Sequence, residues 1–465
     1  MGENARVGLL VEIPVLVRCL LGSLDPKLRR MTQLSPEDWM SEEAFSAELG
    51  VGAEMFFRLA DTLVRHAETQ WGRKHYFQLI VEADSAEAFF DDHGARYNRT
   101  FRPLVELTAS ARGFAIAGLR VAHLRRRLER YVERLNFSED ELEEMRVSIR
   151  RASEFVQEGA VALLGAVLKE AQTRGVQLSG EGFPSSRYES QPVQRVLPHN
   201  VDHQDLEDEE QKIAEVASKF LQSCEMLEEL GIQRLEDPVR RDRFLNRICT
   251  EEQARVYQAT VHNLQSAYDT YIRNTMLEAG DERLPRLRGH ATGALHCLEA
   301  VTALAHFVER HEGSRTDDAE EAIMSLVARD EVRSVTLNDL LYWANAFMQK
   351  GRALAEDLLP SYTNVQELEV EISDDMILHA RPASLIVGIV TRYGTPVEME
   401  IQGEACNAGS MLSLMVVIGS YPKEKRFLFR GDEKPLRDIR LLFEAGLGED
   451  GMDDLPDELD YLRPS

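Results

Sequence analysis

Two long stretches of the chain carry apolar residues in alternating steps of three and four. Phe114, Ala117, Val121, Leu124, Leu128, Tyr131 and Leu135 form the first series; Leu142, Met145, Ile149, Ala152, Val156, Gly159, Leu163 and Ala166 form the second. Such spacing keeps one apolar seam against a partner helix. Between them Ser138 and Glu141 make a capping box, in which the Ser oxygen and the Glu carboxylate satisfy orphan amides at a helix start. The short connection 136–138 therefore predicts an antiparallel helical hairpin within a helical domain over 1–172. In 173–204, Gly175, Gly180, Gly182, Pro184, Pro192 and Pro198 punctuate a polar stretch without period, which predicts a linker or long loop. Helical spacing returns over 205–362. Thr250 with Gln253 makes a second capping box, followed by Tyr257, Val261, Leu264, Tyr268 and Tyr271 on one face. Thr336 with Asp339 is expected to open a last helix carrying Leu340, Ala344, Phe347 and Gly351.

After Pro360 the period changes to two. Leu368, Val370 and Ile372 alternate with charged neighbours and line one face of a strand. A helical run follows His379, then an alternating run over 397–401, a short helix from Ser410, a strand over 426–429 and a helix over 434–444. The order β-α-β-β-α-β-α predicts a small α+β domain over 363–447. Residues 448–465 are acidic with little apolar content and are expected to be disordered, although Leu455, Leu459 and Leu462 keep helical spacing.

Charge then removes several function classes. The 465 residues carry a formal net charge of −26, which argues against nucleic acid and anionic membranes as partners, since both need a positive footprint. The arginines 120, 125, 126, 127, 130 and 134 are the one strongly basic patch; they flank the heptad seam and are expected to be solvated or to pair with the acids of 139–144. The five cysteines (Cys19, Cys224, Cys249, Cys297 and Cys406) form no CxxC pair and read as reduced thiols among apolar neighbours. Glu12, Pro14 and Arg18 interrupt the apolar stretch 7–21, so no signal peptide is expected there. No other segment reads as long and apolar enough to span a bilayer, and the expected location is cytoplasmic. Asp91-Asp92-His93 and the His199–His203 pair lack further ligands at telling spacing. No metal and no cofactor is expected.

One constellation carries chemistry. Leu378-His379-Ala380-Arg381-Pro382-Ala383 stands where a loop from the first strand enters a helix. A helix N-terminus offers unpaired amides and the positive end of its dipole, which together hold an anion and favour a neutral, nucleophilic imidazole. Pro382, in the first turn, lacks an amide that would be unsatisfied there anyway. Arg381 offers a planar fork of donors to phosphoryl oxygens. Further on, Asn407-Ala408-Gly409-Ser410-Met411-Leu412-Ser413-Leu414-Met415 opens the second helix of the domain.

His-Ala-Arg-Pro-Ala and this second block resemble, in order and spacing, the histidine-containing phosphocarrier (HPr) family. The resemblance covers roughly residues 365–446 and implies an open-faced β-sandwich at the end of a multidomain, mainly α-helical protein. It implies that His379 accepts a phosphoryl group through Nδ1 from the phosphoenolpyruvate-dependent phosphotransferase system, with Arg381 steadying the charge. Ser410 corresponds to the serine that a dedicated kinase phosphorylates in some members, and is equally suited to cap its helix. Met411, Leu412 and Met415 correspond to an apolar docking patch, and equally to part of a core. Two positions depart from the family: Ile377 stands where glycine is usual, and Gly409 where a basic residue is common before the serine.

The expected function is a phosphotransfer signalling or regulatory protein, a phosphoryl carrier rather than a turnover enzyme. Its expected partners are phosphotransferase-system proteins (a phosphoryl donor and a serine kinase among them) and an unidentified protein of the helical region. The alternative is a non-catalytic scaffold that retains an HPr-like fold as a binding module.

Overall fold

The structure, a computed structural model, describes residues 39–132, 135–187, 197, 209–312, 323–373, 376–449, 451–452 and 455–463. Cys19, the stretch 7–21 and His199 with His203 lie outside them. The fold is mainly α-helical, with one four-stranded antiparallel sheet and its helices at the C-terminal end. The chain forms two compact units, each discontinuous in sequence. One gathers Met1–Ala122, Ser153–Val193 and His306–Val332; the other gathers His123–Ala152, Gln194–Ala305 and Arg333–Ser465. The contiguous division expected from punctuation is therefore crossed by long helices that contribute residues to both.

The first unit contains α1 (Glu42–Gly52), α2 (Glu54–Arg65), α3 (Arg73–Asp92) and parts of α4 (Arg102–Val132) and α5 (Glu139–Thr173). Its helices approach closely where glycine leaves room: a Cβ on Gly118 would sit 2.2 Å from the Tyr76 ring, and one on Gly159 would sit 2.5 Å from Phe114. The stretch expected to be a linker is partly built into this unit. Val176 and Phe183 are buried, the Phe183 amide donates to Thr62 Oγ1 at 2.8 Å, and Arg58 donates to the Gly182 carbonyl at 2.7 Å. Its glycines place turns that bring two apolar side chains back onto α1 and α2 rather than marking free chain.

The helical part of the second unit contains the remainder of α4 and α5, then α6 (Glu209–Glu229), α7 (Pro238–Ile248), α8 (Glu251–Tyr271), α9 (Met276–Gly280), most of α10 (Arg283–Glu312, which also enters the first unit), the end of α11 (Arg329–Ser334, which begins in the first unit) and α12 (Tyr342–Tyr362). Both capping boxes form as the spacing predicts. The Glu141 amide donates to Ser138 Oγ at 3.3 Å while the Ser138 amide donates to Glu141 Oε2 at 2.8 Å, and Thr250 with Gln253 repeats the exchange. Glu141 and Glu144 pair with Lys350 and Arg234. Thr336 and Asp339 do not open a helix. They lie buried in a π-helical turn, Val335–Leu341, flanked by helical backbone on both sides. Asp339 serves instead as a buried partner of Arg151, which grips it with two bonds of 2.7 Å. The segment Arg283–Arg310 of α10 corrects a second expectation: by length and composition it could cross a membrane, but most of it is buried in the protein as a core helix.

The C-terminal domain follows α12 after a two-residue connection. Its order is β1 (Val365–Glu371), α13 (Ala380–Tyr393), β2 (Val397–Ile401), β3 (Glu404–Asn407), α14 (Met411–Ser420), β4 (Arg426–Asp432) and α15 (Glu433–Glu444). The strands lie in the order β1-β4-β2-β3, all neighbours antiparallel. Leu368 stands opposite Phe429, and Phe429 opposite Met399, so the apolar sides of three strands form one surface. Ile386, Ile389, Leu414, Val417, Leu436, Ile439 and Leu442 cover it from the three helices. The other face carries Glu367, Glu369, Glu398 and Glu400, with Arg430 donating to Glu367 and Glu400 at 2.8 Å each. The alternation of strand residues thus yields the open-faced sandwich.

Residues after α15 correct the expectation of a disordered tail. Leu447, Leu455 and Leu459 are fully buried in the core of this domain, and Asp457–Leu462 forms a 3₁₀ turn. Asp438, itself buried, accepts from the hydroxyls of Tyr393 and Tyr461 at 2.7 Å each. Acids dominate the composition of this segment, and those described (Glu449, Asp457, Glu458 and Asp460) are exposed, while three leucines supply the burial that holds it.

Candidate functional site: the start of α13

His379 is the N-cap of α13. Its backbone is extended (φ −135°, ψ −169°), and its Nδ1 accepts from the Arg381 amide at 3.3 Å. Capping is ordinarily done by Ser, Thr, Asp or Asn oxygens; here an imidazole nitrogen takes the role and is thereby held over the open amides of the first turn. The neighbours on either side are fastened. Leu378, Pro382 and Ala383 are buried, Ser384 Oγ donates to the Arg381 carbonyl at 2.7 Å, and the Lys425 ammonium bonds the carbonyls of Ser373 and Met376. Positive φ among described non-glycine residues occurs at Asn274, Gln402 and Leu447. Ile377, exposed on the approach to His379, thus takes an ordinary backbone, and the loop needs no glycine there.

His379 itself is half-exposed, and its Nε2 lies 2.9 Å from Glu449 Oε1. Arg381 is exposed and makes no ion pair among the described residues, so its guanidinium is available to an incoming anion. The arrangement offers one ring nitrogen, a cation and a helix N-terminus around a solvent-open point, a combination suited to a transferable dianion.

Ser410 caps α14: its Oγ accepts from the Ser413 amide at 3.3 Å and the Ser413 hydroxyl at 3.0 Å. Gly409 is tightly placed, since a Cβ would meet Val390 of α13 at 3.0 Å and Asn407 Oδ1 at 3.2 Å. A basic residue at this position would crowd the α13–α14 contact. Of the three residues expected in an apolar patch, Leu412 is 77 % exposed, whereas Met411 and Met415 are half-buried against the core. Val416, 58 % exposed and one turn beyond Leu412, joins it on the outer face. Its signal in the sequence was the continuous apolar run Leu414–Ile418 of α14, which leaves some face uncovered however the helix is turned. Glu449 had no signal at all, because its segment read as solvated.

Residues 366–418 match the family model described as PTS HPr component phosphorylation site. The N-terminal region matches no family model. No curated protein and no solved structure matches the chain. The matched segment of the HPr-like domain runs from β1 into α14 and includes His379, Arg381 and Ser410.

No set of three His, Cys, Asp or Glu side chains among the described residues is placed to hold a metal. His93 Nδ1 lies 2.9 Å from the Phe89 carbonyl. Cys224, Cys249 and Cys297 are buried and Cys406 is half-buried. Burial pushes the Cys224 thiol up to about 12 and that of Cys406 up to about 11, which leaves both unreactive near neutral pH.

Proposed function

We propose that the HPr-like domain is a phosphoryl carrier of the phosphotransferase type and that its phosphorylation state regulates partners of the helical region in the cytoplasm. The observation that carries this reading is the N-cap position of His379, Nδ1 over the first turn of α13, within a segment matching the phosphorylation-site family. In the transfer, the Nδ1 lone pair forms a bond to phosphorus as the bond from phosphorus to the donor's leaving atom breaks, and that electron pair stays with the donor. Arg381 and the free amides meet the phosphoryl oxygens, as charge-assisted donors do best. HPr domains work with phosphotransferase-system proteins, and Leu412 with Val416 is the surface that fits such a partner. Ser410 enters as a second phosphorylation site, where added charge at a helix N-terminus is electrostatically favoured.

The test uses the full chain with phosphoenolpyruvate and the general phosphotransferase enzyme of the system. Acid-labile, base-stable label on the wild type and none on His379→Ala is expected. No label on wild type under conditions that label an ordinary HPr would overturn the carrier role; label persisting on His379→Ala would move the site.

A further inference from the structure

We propose that Glu449, brought back by the docked tail, is the positioning residue that sets the tautomer of His379 and offsets the charge its ring acquires. This rests on the carrier role above and adds a device to it. Both ring nitrogens of His379 are engaged, and the two contacts agree on one tautomer. An amide N–H only donates, so Nδ1, 3.3 Å from the Arg381 amide, is the acceptor. A carboxylate only accepts, so Nε2, 2.9 Å from Glu449 Oε1, carries the proton. The neutral ring thereby keeps its lone pair on Nδ1, the atom held over the helix N-terminus.

The placement of Glu449 is built into the fold. Gly446, Leu447 and Gly448 all take positive φ (64°, 59° and 69°), which turns the chain sharply after α15. Leu447 is a buried, branched residue in a conformation that L side chains avoid, and such strain persists only where surrounding contacts over-determine it. A Cβ on Gly448 would lie 3.2 Å from Leu385 of α13, so the turn rests on the helix that His379 caps. Downstream, Leu455 and Leu459 in the core and the Tyr461 hydroxyl on Asp438 anchor the segment beyond Glu449.

The chemistry needs such a group on the far side of the ring. When Nδ1 bonds phosphorus, no proton leaves the imidazole: the Nε2–H is kept and the ring takes up a positive charge. The Glu449 carboxylate faces that charge, while the phosphoryl oxygens lie on the Nδ1 side with Arg381.

The experiment compares the full chain as wild type, Glu449→Gln and Glu449→Ala, with ¹⁵N-histidine labelling and His379→Ala to assign the signal. It reads the His379 tautomer by ¹⁵N spectra and the rate of phosphoryl uptake. Wild type is expected to show the Nε2–H form alone. Glu449→Gln, whose amide oxygen still accepts, keeps that form with uptake slowed a few-fold, whereas Glu449→Ala mixes tautomers and slows uptake about tenfold, the order expected for losing one partly exposed charged hydrogen bond. Wild-type tautomer and rate in Glu449→Ala would overturn the inference and leave the carrier role standing. A wild type that takes no label but loses its tautomer preference in Glu449→Ala would overturn the carrier role and keep the positioning.

Discussion

Replacing Leu459 by Ala tests whether the tail is an integral part of the HPr-like domain. Leu459 is completely buried among residues of α13 and α15 and the turn after α15. Burying a leucine is worth about 1.5–3 kcal/mol by transfer alone, and leucine-to-alanine changes in cores cost roughly 2.7–5 kcal/mol once the residual cavity is counted. A terminal segment can undock rather than hold a cavity open, so the loss saturates at the free energy of docking. The expected cost is therefore about 3 kcal/mol, near the low end of the core range. At about 1.4 kcal/mol per decade, the undocked population rises roughly a hundredfold. Because the chain contains two compact units, a single melting temperature does not isolate this event. Hydrogen exchange of peptides covering 455–463 does, through the Leu459 and Arg463 amides bonded to Pro456 and Asp460 carbonyls at 2.9 and 3.0 Å. Exchange there should quicken roughly a hundredfold in Leu459→Ala, with peptides of the first unit unchanged. Tyr461→Phe in the same background should add less than its own separate effect, since both act on one docked state. Unprotected tail amides in the wild type, or identical exchange in the variant, would refute the reasoning.

Arg151→Ala leaves the buried carboxylate of Asp339 without its bidentate partner, and Asp339 already sits above the usual carboxylate range through burial. Destabilisation by about 3 kcal/mol is expected, read by denaturant unfolding through the adjacent Trp343, with most of it recovered when Asp339→Asn is added. Burial, followed by the bonds to Asp438, pushes the Tyr393 phenol up to about 12 and that of Tyr461 higher still. The folded form holds these protons more tightly than the unfolded chain, so their contribution is complete below pH 10, the ordinary phenol value, and is lost as pH climbs towards 12. Phenolate absorbance and tail exchange should change together in that window, and Tyr461→Phe should remove part of the change. Arg381→Lys keeps the charge but loses the planar fork; phosphoryl uptake should fall about tenfold, and an undiminished rate would show that charge alone suffices.

Much of the architecture was legible from spacing. The helix starts at Ser138 and Thr250 could be read because a capping box is a local exchange of two bonds, and the faces of β1 and β2 because strand burial has a strict period of two. Thr336 and Asp339 show where such reading stops. The same residue pattern means a cap only if the backbone before it is not helical, and here Asp339 answers to Arg151, distant in sequence. The tail failed for a related reason. Its composition is that of a solvated segment, and the leucines that anchor it are too few to register until a core is present to receive them. The place of His379 and Arg381 at a helix start was legible because it depends on residues adjacent in sequence. Glu449 was not, because its place depends on a left-handed turn and on packing far along the chain.

The two-residue connection between α12 and β1 has a consequence for how the HPr-like domain meets its partners. Thr363 and Asn364 are all that separates helix from strand, and Asn364 is bonded on both sides: its amide donates to Asp432 Oδ1 and its carbonyl accepts from the Glu433 amide. On the far side, Gln211 of α6 donates to the Tyr393 carbonyl at the end of α13. Such a junction has no slack, and a domain without slack does not sweep a volume around its attachment as one on a flexible tether does. Encounter then falls to the diffusion of the partner, and whatever strain binding places on the domain is delivered straight into the helix that carries it.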